Sequence, residues 1–452
     1  MLKSKKGWLL FLCSAFILTA SFFLIFKNSN HVYAVDTLAD TWSLTDNLGR
    51  SLPAYKDVGP KRDKKYVGIF YSIWHNDYMA NTIAEDTNGP RNIHQIIAAD
   101  VNNINNTKSY ADSPAGPWGK IEHYHYWGKP LFDYYDPELD SYVIRKHAQM
   151  LIDIGVDTLI LDLTNFWGGG VENLNSYHWL AFKKLADVFT QIRSEGGRTP
   201  QFAFNVTWNA DYAANAIQKL YTDIYSQNLY QPLWFQWEGK PLIVGSNASI
   251  TDSTILSFFT FRSAHPEYTA VTEANRWPWL QIYPQSPAYT TYNSKEHVVA
   301  GVAQNWNTGL SSFTTRNASD QFNARGRSYR GGAEPLYTDP TDANYKSNYG
   351  FNFQEGLGRA VAIDPDFLMI TQWNEWIAAR FAAPLSWDPN TTNSIPAGVF
   401  YDAFTAQFSR DIEPTREGGL GDSHYNQLAA EIRRFKGITA PTSASGATTI
   451  AI

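Results

Sequence analysis

Apolar runs of strand length alternate with amphipathic helical segments over most of the chain. The run Val67–Trp74 has the length and aromatic content of a buried strand, and Thr158–Asn165 is the clearest example of the same pattern. Between them, Ser141–Ile154 carries its apolar residues on one helical face. Strands that alternate with helices in this way are typical of a parallel sheet.

Eight strands are predicted when a weak candidate at His123–Gly128 is included. The others that follow Thr158–Asn165 are Gln201–Trp208, Trp234–Gly245, Trp279–Pro284, Val298–Trp306 and Phe367–Trp376. This count predicts an α/β fold, a single (β/α)8 barrel of the TIM type with loop insertions and two C-terminal helices. A doubly wound open sheet is the alternative, although no Gly-rich phosphate turn follows an early strand.

Residues 1–34 have the pattern of an export signal. Three lysines precede the apolar run Trp8–Phe26, and a small-residue cleavage motif ends at Ala34. The run is 19 residues long, close to the ~20 that span a bilayer, so a cleaved signal peptide and a retained membrane anchor both stay open. In either case the body of the protein is predicted to be secreted or extracytoplasmic.

The remaining chain is predicted to comprise a lead-in at 35–65, the barrel at 66–437 and a flexible tail at 438–452.

The only cysteine, Cys13, lies inside the export signal. The mature chain therefore has no disulfide, no cysteine nucleophile and no cysteine metal site.

Composition narrows the class of ligand. The formal net charge is −6 and no basic patch is present, which argues against nucleic acid as a partner. Aromatic residues make up 15% of the chain, an excess that favours a ligand with flat apolar faces. No cofactor motif is predicted, and the sequence carries no signal of oligomeric state.

Several predicted strands end in an amide, hydroxyl or carboxyl group beside a tryptophan. In a barrel these ends converge on one mouth, where catalytic residues lie. Indole rings pack on the apolar faces of sugars while amides and carboxylates bond the hydroxyls, so a carbohydrate substrate is predicted. The predicted substrate-binding residues are Trp74, His125, Trp127, Asn165, Trp167, Asn205, Trp208, Trp373 and Asn374. The alternative is that the tryptophans fill the core.

Two carboxyl groups are the candidates for catalysis. Glu375 follows an apolar strand and is flanked by tryptophans, which would desolvate it and raise its pKa as a general acid requires. Asp162 interrupts the apolar run Thr158–Asn165, and a buried carboxylate needs a partner or a function. Glycoside hydrolysis usually needs two carboxyls that flank one bond. The structural alternatives are an ion pair of Glu375 with an arginine such as Arg380, and a salt bridge of Asp162 inside the barrel.

A His-x-His pair at His123 and His125 suggests a possible metal site. Such a pair holds zinc or iron in metal-dependent hydrolase barrels, but there it lies near the end of the first strand. Here it comes about 50 residues later, among aromatic residues, and sugar contact or packing is favoured. We therefore predict no metal site. The stretch 408–414 (FSRDIEP) also resembles a motif, but it has no assignable chemistry.

The blocks VGIFYSIW, TLILDLTN and TQWNEW resemble the barrels of glycoside hydrolase families 71 and 99. The resemblance covers roughly residues 66–380 and implies a (β/α)8 barrel that hydrolyses O-glycosidic bonds, commonly α-linked, without metal chemistry. In family 99 the late motif resembles N-E-W-x-E-G, with two catalytic glutamates. Glu375 matches the first glutamate, but Ala378 occupies the position of the second, so only the role of Glu375 is carried over.

Three functional hypotheses follow. The first is an exported glycoside hydrolase with Glu375 as general acid/base and Asp162 as base, nucleophile or positioning group. The second is a noncatalytic glycan-binding barrel, for which Ala378 is the main support. The third is a metal-dependent hydrolase that uses His123 and His125.

Overall fold

The protein is described here from a computed structural model. The structure describes residues 42–46, 48–75, 91–105, 116–164, 177–207, 209–267, 271–290, 294–305, 311–316, 322–335, 346–382, 385 and 398–440. The predicted export signal at 1–34 lies outside these residues.

Eight parallel strands form the centre of the described structure. They are β1 (Tyr66–Tyr71), β2 (Thr158–Leu163), β3 (Gln201–Val206), β4 (Lys240–Val244), β5 (Thr260–Glu267), β6 (Arg276–Gln281), β7 (Lys295–Gly301) and β8 (Phe367–Thr371). The hydrogen-bonded order is β7-β8-β1-β2-β3-β4-β5-β6. The outer strands of this order meet through side chains, since the rings of Trp277 on β6 and His297 on β7 stack 4.8 Å apart. The predicted α/β barrel of the TIM type is therefore confirmed, as a nearly closed sheet.

Helices lie in the connections between these strands and at the two ends of the described chain. They are α1 (Tyr55–Val58), α2 (Ile93–Ala99), α3 (Ser141–Asp153), α4 (Tyr177–Ser194), α5 (Ala210–Leu220), α6 (Ser253–Phe258), α7 (Phe351–Ile363) and α8 (Ser423–Lys436). The apolar stripe of α3, which includes Ile144, Ala148 and Leu151, is buried against the barrel as its spacing predicts. No helix among the described residues is both long and apolar enough to cross a membrane.

Period-two alternation divides the strand residues between two apolar layers. On β2, Leu159 and Leu161 belong to the layer between the sheet and the helices. Ile160 belongs to the barrel interior, together with Phe70 and Phe367. Because Asp162 follows Ile160 by two residues, the same alternation turns its carboxyl toward the interior at the carboxyl end of β2.

One predicted barrel strand is wrong and one barrel strand was missed. His123–Gly128 contains a strand, Tyr124–Tyr126, but it pairs antiparallel with Ile377–Ala379 in a separate two-stranded sheet. The missing barrel strand is β5, whose sequence TFRSAHPE has no apolar alternation. Its polarity has a structural reason, because Arg262 makes a bidentate ion pair with Glu296 at 2.6 and 2.8 Å.

The C-terminal region contains one of the two predicted C-terminal helices among the described residues. This helix is α8, and residues 386–397, between β8 and α8, lie outside the description. Ile438, placed in the predicted tail, is buried, and its N–H donates to the Gly59 carbonyl at 3.1 Å. The ordered chain therefore continues past the predicted boundary at 437, while residues 441–452 lie outside the description.

Substitution of Gly68 tests the packing of the barrel interior. A Cβ at Gly68 would overlap the ring of Phe367 and lie 3.3 Å from Ile160 Cγ1. We expect Gly68→Val to lower the free energy of unfolding by about 1–3 kcal/mol, the usual cost of overpacking, as measured by denaturant unfolding. Gly358→Ala is the matched control, since it meets nothing within 4 Å on the exposed side of α7, and it should leave stability unchanged or raise it. Equal stability of Gly68→Val and the wild type would contradict the described interior.

Candidate active site

A loop segment from the C-terminal region lies along the chain that leaves β8. The main-chain N–H of Gln372 donates to the Arg410 carbonyl at 3.1 Å, and the N–H of Glu413 donates to the Trp373 carbonyl at 3.0 Å. These bonds fix Arg410, Asp411 and Glu413 beside the predicted catalytic motif. The unassigned stretch 408–414 therefore belongs to the candidate site.

Glu375 is buried at this junction and forms an ion pair with Arg410. Nη2 of Arg410 donates to Oε2 of Glu375 at 3.0 Å, and the main-chain N–H of Glu375 donates to the carboxylate of Asp411. The structural alternative named Arg380 as the partner, but one guanidinium nitrogen of Arg380 donates instead to the Gly119 carbonyl at 2.8 Å.

The surroundings of Glu375 favour its neutral form. Burial is the largest cause, the charge of Asp402 adds to it and that of Asp162 adds less, while Arg410 acts in the opposite direction. Together they raise the pKa of Glu375 well above the ordinary glutamate value.

Asp162 lies near this group on β2, but its carboxylate is held locally. Its Oδ1 accepts from the N–H of Thr164 at 2.8 Å and from the Thr164 hydroxyl at 2.6 Å. Burial raises the pKa of Asp162 to about 6, and the hydrogen bonds from Thr164 oppose that shift. The predicted alternative of a salt bridge is not found among the ion pairs of the described residues, where Thr164 is the partner instead.

Arg410 is shared by more than one carboxylate. The same Nη2 atom that bonds Glu375 lies 3.4 Å from Oδ1 of Asp402, and Nη1 donates to Oδ1 of Asn305 at 3.2 Å. Neither Asp402 nor Arg410 was predicted to take part in the site. Nothing adjacent in sequence marks Asp402, whereas the charged stretch that contains Arg410 was a visible signal without a role.

Two further carboxylates of the same segment bind indole rings. Asp411 Oδ2 accepts from Nε1 of Trp127 at 2.6 Å, and Glu413 Oε2 accepts from Nε1 of Trp376 at 2.6 Å. Burial raises the pKa of Asp411 to about 7, although the nearby Arg327 opposes the shift. These bonds hold the segment against the tryptophans that flank Glu375.

Asn205 on β3 lies beside Asp162, its register partner on β2. The side chain is fully buried, and neither its amide nitrogen nor its amide oxygen has a hydrogen-bond partner within the described part of the chain. An unpaired buried amide is rare in folded proteins. Asn205 therefore retains the capacity to donate to and accept from a ligand hydroxyl near Asp162.

Four of the other residues that were predicted to contact sugar pack against or bond other groups of the protein. Trp127 stacks on Trp376 with ring centroids 4.7 Å apart, and Trp373 packs edge-on against His147 at 5.5 Å. Asn374 Oδ1 accepts from the N–H of Ser72 at 2.9 Å.

The fourth, His125, has both ring nitrogens within 3.0 Å of backbone carbonyls. None of these four side chains has exposed surface for a sugar in this arrangement, and they bond and pack within the protein instead.

Trp74 is almost fully buried and meets Tyr124 edge-on at 6.0 Å, and no described residue accepts a hydrogen bond from its Nε1. The three other predicted contacts, Asn165, Trp167 and Trp208, lie outside the described residues.

The histidine pair does not form a recognisable metal centre. Within the described part of the chain, no group of three or more His, Cys, Asp or Glu side chains is arranged to hold a metal ion. Burial, with the charge of Arg380, lowers the pKa of His125 to about 3, so its ring is neutral and donates a hydrogen bond to one of the two carbonyls.

The fold and the site together define an α/β barrel with a group of carboxyls at the carboxyl end of its strands, of which Asp162 and Glu375 are buried and Asp402 is partly exposed. Three of these groups, Asp162, Glu375 and Asp402, influence one another electrostatically around Arg410. Such a group can hold a proton at neutral pH and transfer it to a ligand.

No family model matches the chain, and no curated protein matches it either. Among solved structures, the chain is similar to two of a glycoside hydrolase family 99 endo-α-mannosidase from Bacteroides thetaiotaomicron. One, in complex with bis-tris-propane, is 11% identical with a TM-score of 0.42 over 82% of this chain and 97% of that chain. The other is 14% identical, with a TM-score of 0.42 over 82% of this chain and 98% of that chain. A likeness this distant carries no conclusion about activity or substrate.

The raised pKa of Asp162 predicts a specific dependence of stability on pH. Its folded value of about 6 lies above the ordinary 3.8, so its favourable contribution is complete below about pH 4 and is lost as pH rises through 6. In Asp162→Asn this loss is absent. We expect the stability of the variant relative to wild type to rise by about 3 kcal/mol between pH 4 and 8, since one pKa unit corresponds to ~1.4 kcal/mol.

Denaturant unfolding at several pH values measures this difference. Asp133→Asn is the control, because Lys129 lowers the pKa of the exposed Asp133, and its relative stability should not rise over the same range. If the stability of Asp162→Asn relative to wild type stays constant between pH 4 and 8, burial does not raise the pKa of Asp162, and the prediction is wrong.

Proposed function

We propose that the protein is an exported glycoside hydrolase that cleaves O-glycosidic bonds of a poly- or oligosaccharide by carboxyl acid/base catalysis. The observation that carries the proposal is the group of carboxyls around Arg410 at the carboxyl end of the barrel strands, in which Glu375 and Asp162 are buried. Export rests on the sequence pattern of residues 1–34.

Glu375 is proposed as the general acid/base. A glycosidic oxygen leaves as an alcohol only when a proton reaches it during bond cleavage, so the acid must be protonated near neutral pH. Burial and the neighbouring carboxylates supply that condition for Glu375. In this scheme Asp162 acts through its charge, which favours the neutral form of Glu375.

Binding of a carbohydrate is supported by polar groups near the interior end of the strands. The unpaired amide of Asn205 can bond a hydroxyl from either of its atoms. Trp279 lies next to Phe70 in the same interior, stacked at 5.8 Å, and its Nε1 has no hydrogen-bond partner among the residues that the structure describes. A neutral polyhydroxylated ligand fits such groups better than an anion, because the site is already rich in carboxylates.

A noncatalytic glycan-binding barrel is the second candidate. Ala378, at the position where the resemblance expects a second glutamate, is buried and pairs with His125 in the small antiparallel sheet. The ion pair of Glu375 with Arg410 is also what a structural carboxylate would make. A metal-dependent hydrolase that uses His123 and His125 is the weaker third candidate.

Turnover by wild type and Glu375→Gln separates these candidates. The purified chain is incubated with α- and β-linked polysaccharides and oligosaccharides, with and without EDTA, and new reducing ends are counted. We expect turnover that resists EDTA, and a loss of at least about a hundredfold in Glu375→Gln, because acid–base assistance is typically worth ~10²–10⁴-fold.

Glu273→Gln is the control, because Glu273 is exposed and pairs with Arg276 outside the site. Glu375→Gln with more than about a tenth of wild-type activity would remove Glu375 from the role of acid. Glycan binding without any turnover would favour the noncatalytic barrel, and EDTA-sensitive turnover restored by zinc would favour the metal site.

A further inference from the structure

We propose that Asp402 is the second catalytic carboxyl and acts as the nucleophile toward the anomeric carbon, with Glu375 as its acid/base partner. This inference rests on the proposed glycoside hydrolase function and names the partner that Ala378 cannot supply. It assigns a catalytic role to a residue that lies in no recognised motif.

The separation of the two carboxyls follows from the atom they share. Oε2 of Glu375 and Oδ1 of Asp402 lie 3.0 Å and 3.4 Å from the same Nη2 atom of Arg410. The two oxygens therefore lie no more than about 6.4 Å apart. Carboxyls of retaining glycosidases are about 5–5.5 Å apart, whereas those of inverting enzymes are separated by ~6.5–9.5 Å.

Accessibility distinguishes Asp402 from the other carboxyls near Glu375. The side chain of Asp402 is 37% exposed, against 6% for Glu375. Asp162, in contrast, is buried and accepts two hydrogen bonds from Thr164. A nucleophile must reach the substrate, and Asp402 is the carboxylate of this group that is open to solvent.

Asp402 is nevertheless held in a fixed position. Phe400 and Phe404, on either side of it, are fully buried and stack at 5.5 Å. The carbonyl of Tyr401 accepts from Nδ2 of Asn305 at 2.6 Å, and Oδ1 of the same Asn305 accepts from Arg410. Asn305 therefore fixes the backbone at Asp402 and the guanidinium beside it together, which is the preorganisation that a nucleophile needs.

The two carboxyls differ in how strongly they favour a proton. Burial raises the pKa of Asp402, and Arg410 opposes that shift. Burial and the charge of Asp402 raise the pKa of Glu375 well above its ordinary value. One proton shared by the pair is therefore favoured on Glu375, which leaves Asp402 as the nucleophile.

The reaction then proceeds in two displacement steps. The carboxylate of Asp402 forms an ester bond to the anomeric carbon, the glycosidic C–O bond breaks, and Glu375 gives its proton to the leaving oxygen. Water next attacks the anomeric carbon and returns a proton to Glu375, while the ester bond breaks and restores the carboxylate of Asp402. The product sugar has the anomeric configuration of the substrate.

The test compares the Asn and Ala variants of Asp402 and of Asp162 with wild type on a glycan from the panel that wild type hydrolyses. We expect kcat/KM of Asp402→Asn to fall by at least about a hundredfold, and that of Asp162→Asn to fall less. Asp422→Asn is the control, since Asp422 is exposed and makes no side-chain cap bond. Thermal unfolding of each variant shows whether it is folded.

Two measurements distinguish a catalytic role of Asp402 from a merely structural one. We expect azide to restore turnover of Asp402→Ala and to form a glycosyl azide of inverted configuration, because the small anion replaces the missing carboxylate. We also expect ¹H NMR of the first wild-type product to show retention. Inversion by wild type, Asp402→Asn with more than a tenth of wild-type activity, or azide rescue of Asp162→Ala in place of Asp402→Ala would each overturn the assignment. Absence of turnover by wild type itself would instead refute the proposed function, and the role of Asp402 with it.

Discussion

The guanidinium of Arg410 sets the charge balance at the carboxyl end of the barrel. It is buried and bonds Glu375, Asp402 and Asn305, which come from three separate parts of the chain. Its charge, and that of the buried Arg327 near Asp411, are met by four carboxyls, Asp162, Glu375, Asp402 and Asp411. Three of these carboxyls, Asp162, Glu375 and Asp411, are buried beside two cations, so a proton on at least one of them is favoured, because an unpaired buried charge is strongly unfavourable.

The tryptophans of this protein also stabilise buried carboxyl groups. Buried carboxylates at both ends of the barrel accept hydrogen bonds from indole N–H groups. Asp411 and Glu413 do so near the site, and Glu296 accepts from Trp237 at 2.7 Å and from Trp277 at 2.8 Å at the other end. An indole supplies a large apolar surface and one donor, so it can bury a carboxylate without adding charge. The high aromatic content therefore supports a charged interior as well as any contact with ligand.

Local pattern was enough to predict the barrel and the position of two site residues. Period-two alternation on β2 places Asp162 in the interior, and an apolar strand followed by a polar motif places Glu375 at its carboxyl end. The same reasoning missed β5, because Arg262 finds its partner on β7 and the strand therefore lacks an apolar pattern. It also assigned Trp127 and Trp373 to sugar binding, although their contacts with Asp411 and His147 join positions far apart in sequence.

Local sequence patterns could not predict the partners of Glu375, for a similar reason. Asp402 and Arg410 follow Glu375 by 27 and 35 positions in sequence, and no hydrophobic periodicity links them to it. Only the unusual density of charge in the stretch 408–414 marked this region in the sequence. The backbone hydrogen bonds between this stretch and the chain that leaves β8 show that it forms part of the candidate site.

The protonation state of Glu375 tests the central claim most directly. Infrared difference spectra between wild type and Glu375→Gln, recorded over a pH series, report the C=O stretching band of a protonated carboxyl. We expect wild type to keep that band at pH 6, where an ordinary glutamate with a pKa of 4.5 is ionised. A band that disappears near pH 4.5 would show that Arg410 holds Glu375 ionised, and would contradict its role as the acid.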